Sequence, residues 1–215
     1  MSPSTAATLE RPPVAGDDSW LAAPELEEQH PTQDESDSPA DALAQDCEAE
    51  HQLIGALLWL PATHVRAILE LVPDTVIWRP RTRWAYQVIR TLVVDAGQDP
   101  DPVAVLAAAR SQPSTITVQP GRPPTAHQLK GLSMYLFDAY QSATDPHRTA
   151  GQHAREVLDA AYRRAFRDNA IRMHQLADTD VEPELLTKLF TETRQELADL
   201  LRRAEAAAKP GWDTP

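Results

Sequence analysis

Residues 46–60 read Asp-Cys-Glu-Ala-Glu-His-Gln-Leu-Ile-Gly-Ala-Leu-Leu-Trp-Leu and end at Pro61, and the apolar spacing of this stretch decides the fold class. Leu53, Leu57 and Leu60 fall at i, i+4 and i+7 with Ile54 and Leu58 beside them, a wide helical stripe facing a core rather than the alternation of a strand. The same period recurs downstream. Val65, Ile68, Leu69 and Val72 repeat it up to Pro73, and Trp84, Val88 and Leu92 repeat it after Pro80, which suits the first turn of a helix. Asp101-Pro102 reads as an N-cap and first helical residue leading into Val103, Leu106 and Ala107. Thr125 and Gln128 have capping-box spacing ahead of Leu129, Leu132, Leu136 and Tyr140. Between these last two helices, residues 112–124 hold four prolines and read as a loop, in which Ile116 and Val118 alternate as in a very short strand.

The last third differs in length. A pattern opening at Asp145-Pro146 runs to about Ala177, carrying Val157, Ala161, Ala165, Phe166, Met173 and Leu176. After a polar turn a second runs to about Ala208, with Leu186, Phe190, Thr193, Leu197, Leu200 and Ala204 at near-heptad spacing. Two helices of roughly 45 Å exceed what a small bundle covers, so an antiparallel hairpin projecting from the globular part is expected. The expected fold is all-α. A disordered acidic tail (1–45) precedes a helical head (46–143), a hairpin (144–208) and a short disordered end (209–215). The seam residues Phe166, Met173, Leu186, Phe190, Leu197 and Leu200 are the expected self-association contacts.

Composition bounds the function. The 215 residues hold 32 acids and 20 bases, but residues 1–45 alone hold ten acids and one arginine, so most of the net charge of −12 belongs to the tail. That tail has six prolines and no apolar period, too little burial to offset the entropy of ordering. One cysteine excludes a disulfide scaffold and a cysteine-based zinc site. No apolar run approaches the roughly 20 residues of a membrane span, and the N-terminus lacks the features of a secretory signal, so the cytoplasm is the expected location.

Catalytic signals are missing from the pattern. No two of the seven glycines stand at P-loop or dinucleotide-fingerprint spacing, and the seven histidines form no HExxH pair. Cys47, just ahead of Glu48 and Glu50, is placed where neighbouring carboxylates disfavour a thiolate. The expectation is a non-enzyme with no cofactor and no metal. Two basic groups remain: Arg79, Arg81, Arg83 and Arg90 around the third helix, and Arg163, Arg164, Arg167 and Arg172 on the first long helix. Arg163, Arg167 and Arg172 are expected near one face and are the candidate nucleic-acid contacts, although a solvated or ion-paired role suits the slightly acidic domain better. Trp59, Trp78 and Trp84 are expected in the core rather than stacked on bases.

Several motifs recur in a family order. Residues 46–58 resemble the pattern (N/Q)xEAExxxLGxLL; Ile77-Trp78-Arg79-Pro80 with Arg83 and Tyr86 resembles F-Y-R-P-x-H-R-x-I-F; Gly97 to Val105, with Asp101 and Val103 in the matching places, resembles G-x-x-x-D-x-V-T-L. Met134-Tyr135-Leu136 fits A-Y-L, and Ala154 to Val157 with Tyr162, Arg163 and Arg164 fits the start of the family's long helix. Over about 160 residues the chain thus resembles the N-terminal domain of DnaB-type replicative DNA helicases. It departs from the family at Thr82, where a histidine is usual, at Thr144 to Thr149 in place of T-P-S-A-A-N, and in a longer proline-rich loop. The resemblance implies an all-α head and hairpin that ends before the RecA-like motor, pairs hairpin to hairpin, and docks primase and helicase-loader proteins. Three roles follow as expectations: a non-catalytic interaction and oligomerisation module of replication, a regulator or decoy that titrates helicase or primase, and a DNA-binding adaptor.

Overall fold

The computed structural model describes residues 39–112, 122–179 and 181–211. These are helical, with no strand among the described residues; the expected short strand at Ile116 and Val118 lies outside them. The helices are α1 (Pro39–Leu57), α2 (Ala62–Leu71), α3 (Pro80–Arg90), α4 (Pro102–Ser111), α5 (Ala126–Ser142), α6 (Pro146–Ala177) and α7 (Pro183–Ala207). A one-turn 3-10 helix (Asp74–Val76) precedes α3, and a π-helical turn (Thr91–Asp95) follows it. α1 begins well upstream of Asp46, since Ala40, Ala42, Leu43 and Ala44 are strong helix formers behind a first-turn proline. Cys47 therefore lies inside α1 rather than ahead of a helix.

Local sequence sets most helix ends. The Asp101 carboxylate accepts from the amides of Val103 and Ala104, and Thr125 and Gln128 complete a capping box. Asp145 starts α6 differently: at φ +46° its side chain caps nothing, and its carboxylate pairs instead with Arg148. α4 turns a different face inward from the one expected. Val105 and Ala109 are buried while Val103 and Ala107 are exposed, because a helix apolar on nearly every side takes its orientation from the neighbours it packs on.

The core is one cluster. Leu53, Ile54 and Leu57 of α1 meet Ile68 of α2, Trp84 and Tyr86 of α3, Leu132 and Leu136 of α5, and Val157 and Leu158 of α6. Leu200, Ala204 and Ala207 of α7 belong to the same cluster. α1 and α5 cross so closely at Gly55 that a Cβ there would stand 2.3 Å from the Ala139 carbonyl oxygen. The crossing is fastened at one end by Trp59, whose indole stacks on Tyr140 at 4.1 Å and donates from Nε1 to the Tyr140 carbonyl.

The irregular backbone between α2 and α3 is held by long side chains from α3 itself and from the distant helices α1, α6 and α7. Arg203 of α7 donates to the carbonyls of Glu70 and Leu71, and Arg90 donates to those of Leu69 and Val72, occupying the acceptors a helix C-terminus leaves open. Tyr86 donates its hydroxyl proton to Val72, Arg164 donates to Val76, and Arg83 donates to Ile77. Glu50, buried on α1, accepts from the amides of Trp78 at 2.5 Å and Arg79 at 3.2 Å. Several arginines that read in sequence as basic surface are thus tethers for buried backbone.

Candidate interaction surface

α6 and α7 pack antiparallel along their length, but their two halves have different surroundings. From Ala150 to Ala161, α6 is buried against the head, together with the α7 segment from Leu200 to Ala207. Farther out, past the contact of Arg164 with Val76, the two helices are covered mainly by each other among the described residues. The contact there is partly polar: buried Thr193 donates to the Asn169 side chain, which donates in turn to Ala165 and Glu196.

One face of this outer half is an apolar groove of about 370 Å³, lined by Tyr162, Phe166 and Met173 from α6 and by Phe190, Leu197 and Leu201 from α7. Phe166 is 58% exposed and Phe190 59%, unusual for side chains that gain so much from burial. On α6 the lining residues Phe166, Ala170 and Met173 fall at i, i+4 and i+7, with Tyr162 one turn before, on one helical face. Four of the six expected self-association residues, Phe166, Met173, Phe190 and Leu197, therefore meet on one surface. Leu186 is half-buried and stands off the groove wall. Leu200 is a correction: it is 8% exposed within the core, because at its level α7 has already reached the head.

The arginines of α6 divide similarly. Arg163 and Arg167 are exposed one turn apart, but Arg172 lies about two and a half turns beyond Arg163 and so points from the opposite side of the helix. The three form no common face. Arg164 turns inward to Val76, and of the third-helix group Arg83 and Arg90 are tethers, Arg90 also pairing with Asp74 at 2.5 Å. Arg79 and Arg81 remain exposed.

The tryptophans also depart from expectation. Trp84 is buried, but Trp59 is 48% and Trp78 51% exposed. Trp59 lies in the turn just past the end of α1, stacked on Tyr140, and Trp78 stands in the linker before α3.

Unusual ionisation is structural in origin. Burial pushes the Glu50 carboxyl above the usual carboxylate range, against the two amides it accepts from and the Arg164 and Arg79 charges. Tyr86 and Tyr135 are pushed up by burial, the latter donating to the Thr82 hydroxyl. The Asp199 carboxyl is held low by its hydrogen bond to Arg203. Among the described residues no group of His, Cys, Asp or Glu converges as a metal site would, and no helix is long and apolar enough to cross a membrane.

Among solved structures the chain is similar to the N-terminal domain of DnaB helicase from Mycobacterium tuberculosis, with a TM-score of 0.54 and 21% identity. The match covers 72% of this chain and 97% of that one. At this identity the likeness is one of fold, an all-α fold of the DnaB N-terminal-domain kind. No protein-family model and no curated protein sequence matches the chain.

Proposed function

We infer that this chain is a non-catalytic interaction module of DNA replication, which self-associates through the outer half of the α6–α7 hairpin and docks a replicative helicase, its loader or primase. The observation that carries the reading is the groove between Phe166, Met173, Phe190 and Leu197, displayed on a fold like that of a replicative helicase's N-terminal domain. An apolar groove lined by two exposed phenylalanines suits an aromatic or aliphatic anchor, the kind of contact that dominates protein interfaces. A helix laid antiparallel along it would place one side chain per turn into the groove.

The replication role is tested by binding. Purified replicative helicase and primase from the cells that make this protein are passed over the immobilised full chain, and retention of either, reduced by Phe166→Asp, is expected. Retention of neither would remove the replication reading while leaving self-association open. The decoy reading draws on the acidic segment 1–45, a polyanion able to compete for basic surfaces. It predicts that the full chain slows helicase unwinding and that removing residues 1–38 abolishes the effect.

A further inference from the structure

We propose that the cleft between the start of α3 and the face of α5 binds a short stretch of single-stranded nucleic acid, a base stacking on Trp78 and phosphates held by Arg79 and Arg81. The cleft has a volume of about 730 Å³ and is lined by Trp78, Arg79, Pro80, Arg81, Thr82 and Tyr135. It is separate from the hairpin groove and does not depend on the function inferred above.

Three features define the ligand. First, among the described residues the guanidinium groups here keep their hydrogen-bonding positions unoccupied, although Arg79 also lies in the field of Glu50. Arg66, Arg83, Arg90, Arg164 and Arg203 give hydrogen bonds to backbone carbonyls, whereas neither Arg79 nor Arg81 makes an ion pair or hydrogen bond through its side chain among the described residues. The Arg81 guanidinium lies beside α5 at Gly131. Two planar forks and no lysine favour phosphate oxygens, which they can grip in pairs.

Second, the fold supports Trp78 from behind and leaves its ring half in solvent. Glu50 fixes the Trp78 and Arg79 amides, so the indole has a set position on an anchored backbone. Those amides are thereby occupied, and the positive charge of the cleft comes from the guanidinium groups. An exposed, positioned aromatic beside cations is the combination that single strands use, since every base has a stacking face.

Third, the charge is one-sided. On its other flank Trp78 borders a second cleft that carries Asp168, Glu196 and Asp199 beside Arg164, with Asp199 paired to Arg203, so that side offers a phosphate no unopposed cation and the α3–α5 side is the more favourable path for a strand. An acidic peptide would satisfy the arginines equally well but has no general use for the indole face. The indole therefore favours a nucleic acid.

The test is fluorescence anisotropy of fluorescein-labelled dT20 with the full chain across a salt series, beside variants matched to wild type in melting temperature. Salt-sensitive binding is expected. Trp78→Ala should weaken it by about 5- to 150-fold, the range for losing one base–aromatic stack, and Trp78→Phe should restore most of it. Replacing Arg79 and Arg81 together with alanine should reduce the log–log salt slope by about 1.4, as for two lost contacts on a single strand. Should Arg79→Ala destabilise the fold through its proximity to Glu50, Arg81→Glu alone still tests the site. The proposal is overturned if dT20 does not bind at low salt, or if binding ignores Trp78 and Arg81 but vanishes with Arg163→Ala and Arg167→Ala. It is equally overturned if poly-glutamate displaces dT20 and DNA binding proves independent of Trp78.

Discussion

The inner and outer halves of the hairpin are built from the same two helices and do opposite things. Near the head, Val157 and Leu158 of α6 and Leu200 and Ala204 of α7 are closed into the core by α1 and α2. Past Tyr162, α6 and α7 keep apolar residues at the same helical spacing, but Phe166 and Phe190 have water on one side. Periodicity states that a residue faces a seam; it does not state what covers the seam. The inner half is therefore a matter of stability, whereas the association proposed for the outer half would leave folding largely untouched, and substitutions can separate the two.

The largest effect is expected at the inner half. Leu158→Ala removes a fully buried side chain and should lower the unfolding free energy by about 2–5 kcal/mol in denaturant titration. A loss below about 1 kcal/mol would mean that the inner hairpin is no part of the core.

Gly55→Ala follows. Within a helix this change ordinarily stabilises by about 1 kcal/mol, but here the new Cβ meets the Ala139 carbonyl, and a net loss of about 1–3 kcal/mol is expected. A rise in melting temperature would show that α1 and α5 do not approach as closely as described.

A subtler effect falls on pH dependence, at the boundary between the halves, where Arg164 lies in the field of Glu50. Because the Glu50 carboxyl sits above its ordinary value in the folded state, the folded chain holds that proton more tightly than the unfolded chain. Its contribution to stability therefore falls as pH rises from the ordinary carboxylate range through the raised value. Glu50→Gln, uncharged throughout, should lack that fall when the two stability profiles are subtracted; parallel profiles would contradict the burial argument.

The smallest effect on folding is expected at the outer half. Phe166→Ala should change unfolding free energy by no more than about 0.5 kcal/mol at a concentration where the chain is monomeric, since its ring is already mostly in water.

The starts of α3, α4 and α5 were legible in the sequence, because Pro80, Asp101-Pro102, and Thr125 with Gln128 act within a turn of themselves, whereas α1 begins at Pro39, inside the segment expected to be a disordered tail. Four of the six groove residues were legible too, from helical spacing on two long helices. What was not legible depends on partners far along the chain. Arg203 reaches Glu70, Arg164 reaches Val76, and Glu50 reaches Trp78, and no local pattern announces any of these. Nothing in the spacing of α7 marks where the head begins to cover it, so Leu200 reads like its exposed neighbours on the seam. Hydrophobicity points Trp59 and Trp78 to the core, although each sits just past the end of a helical turn, where the chain leaves cover. Arg172 could have been separated from Arg163 by counting turns.

Sedimentation velocity of the full chain over a range of concentrations, beside the Phe166→Asp and Phe190→Asp double variant, tests the central claim that the outer groove is an association surface. The account predicts that the wild-type chain forms a dimer or larger species as concentration rises and that the folded double variant stays monomeric. A wild-type chain that remains monomeric, or a double variant that assembles as well as wild type, would contradict it.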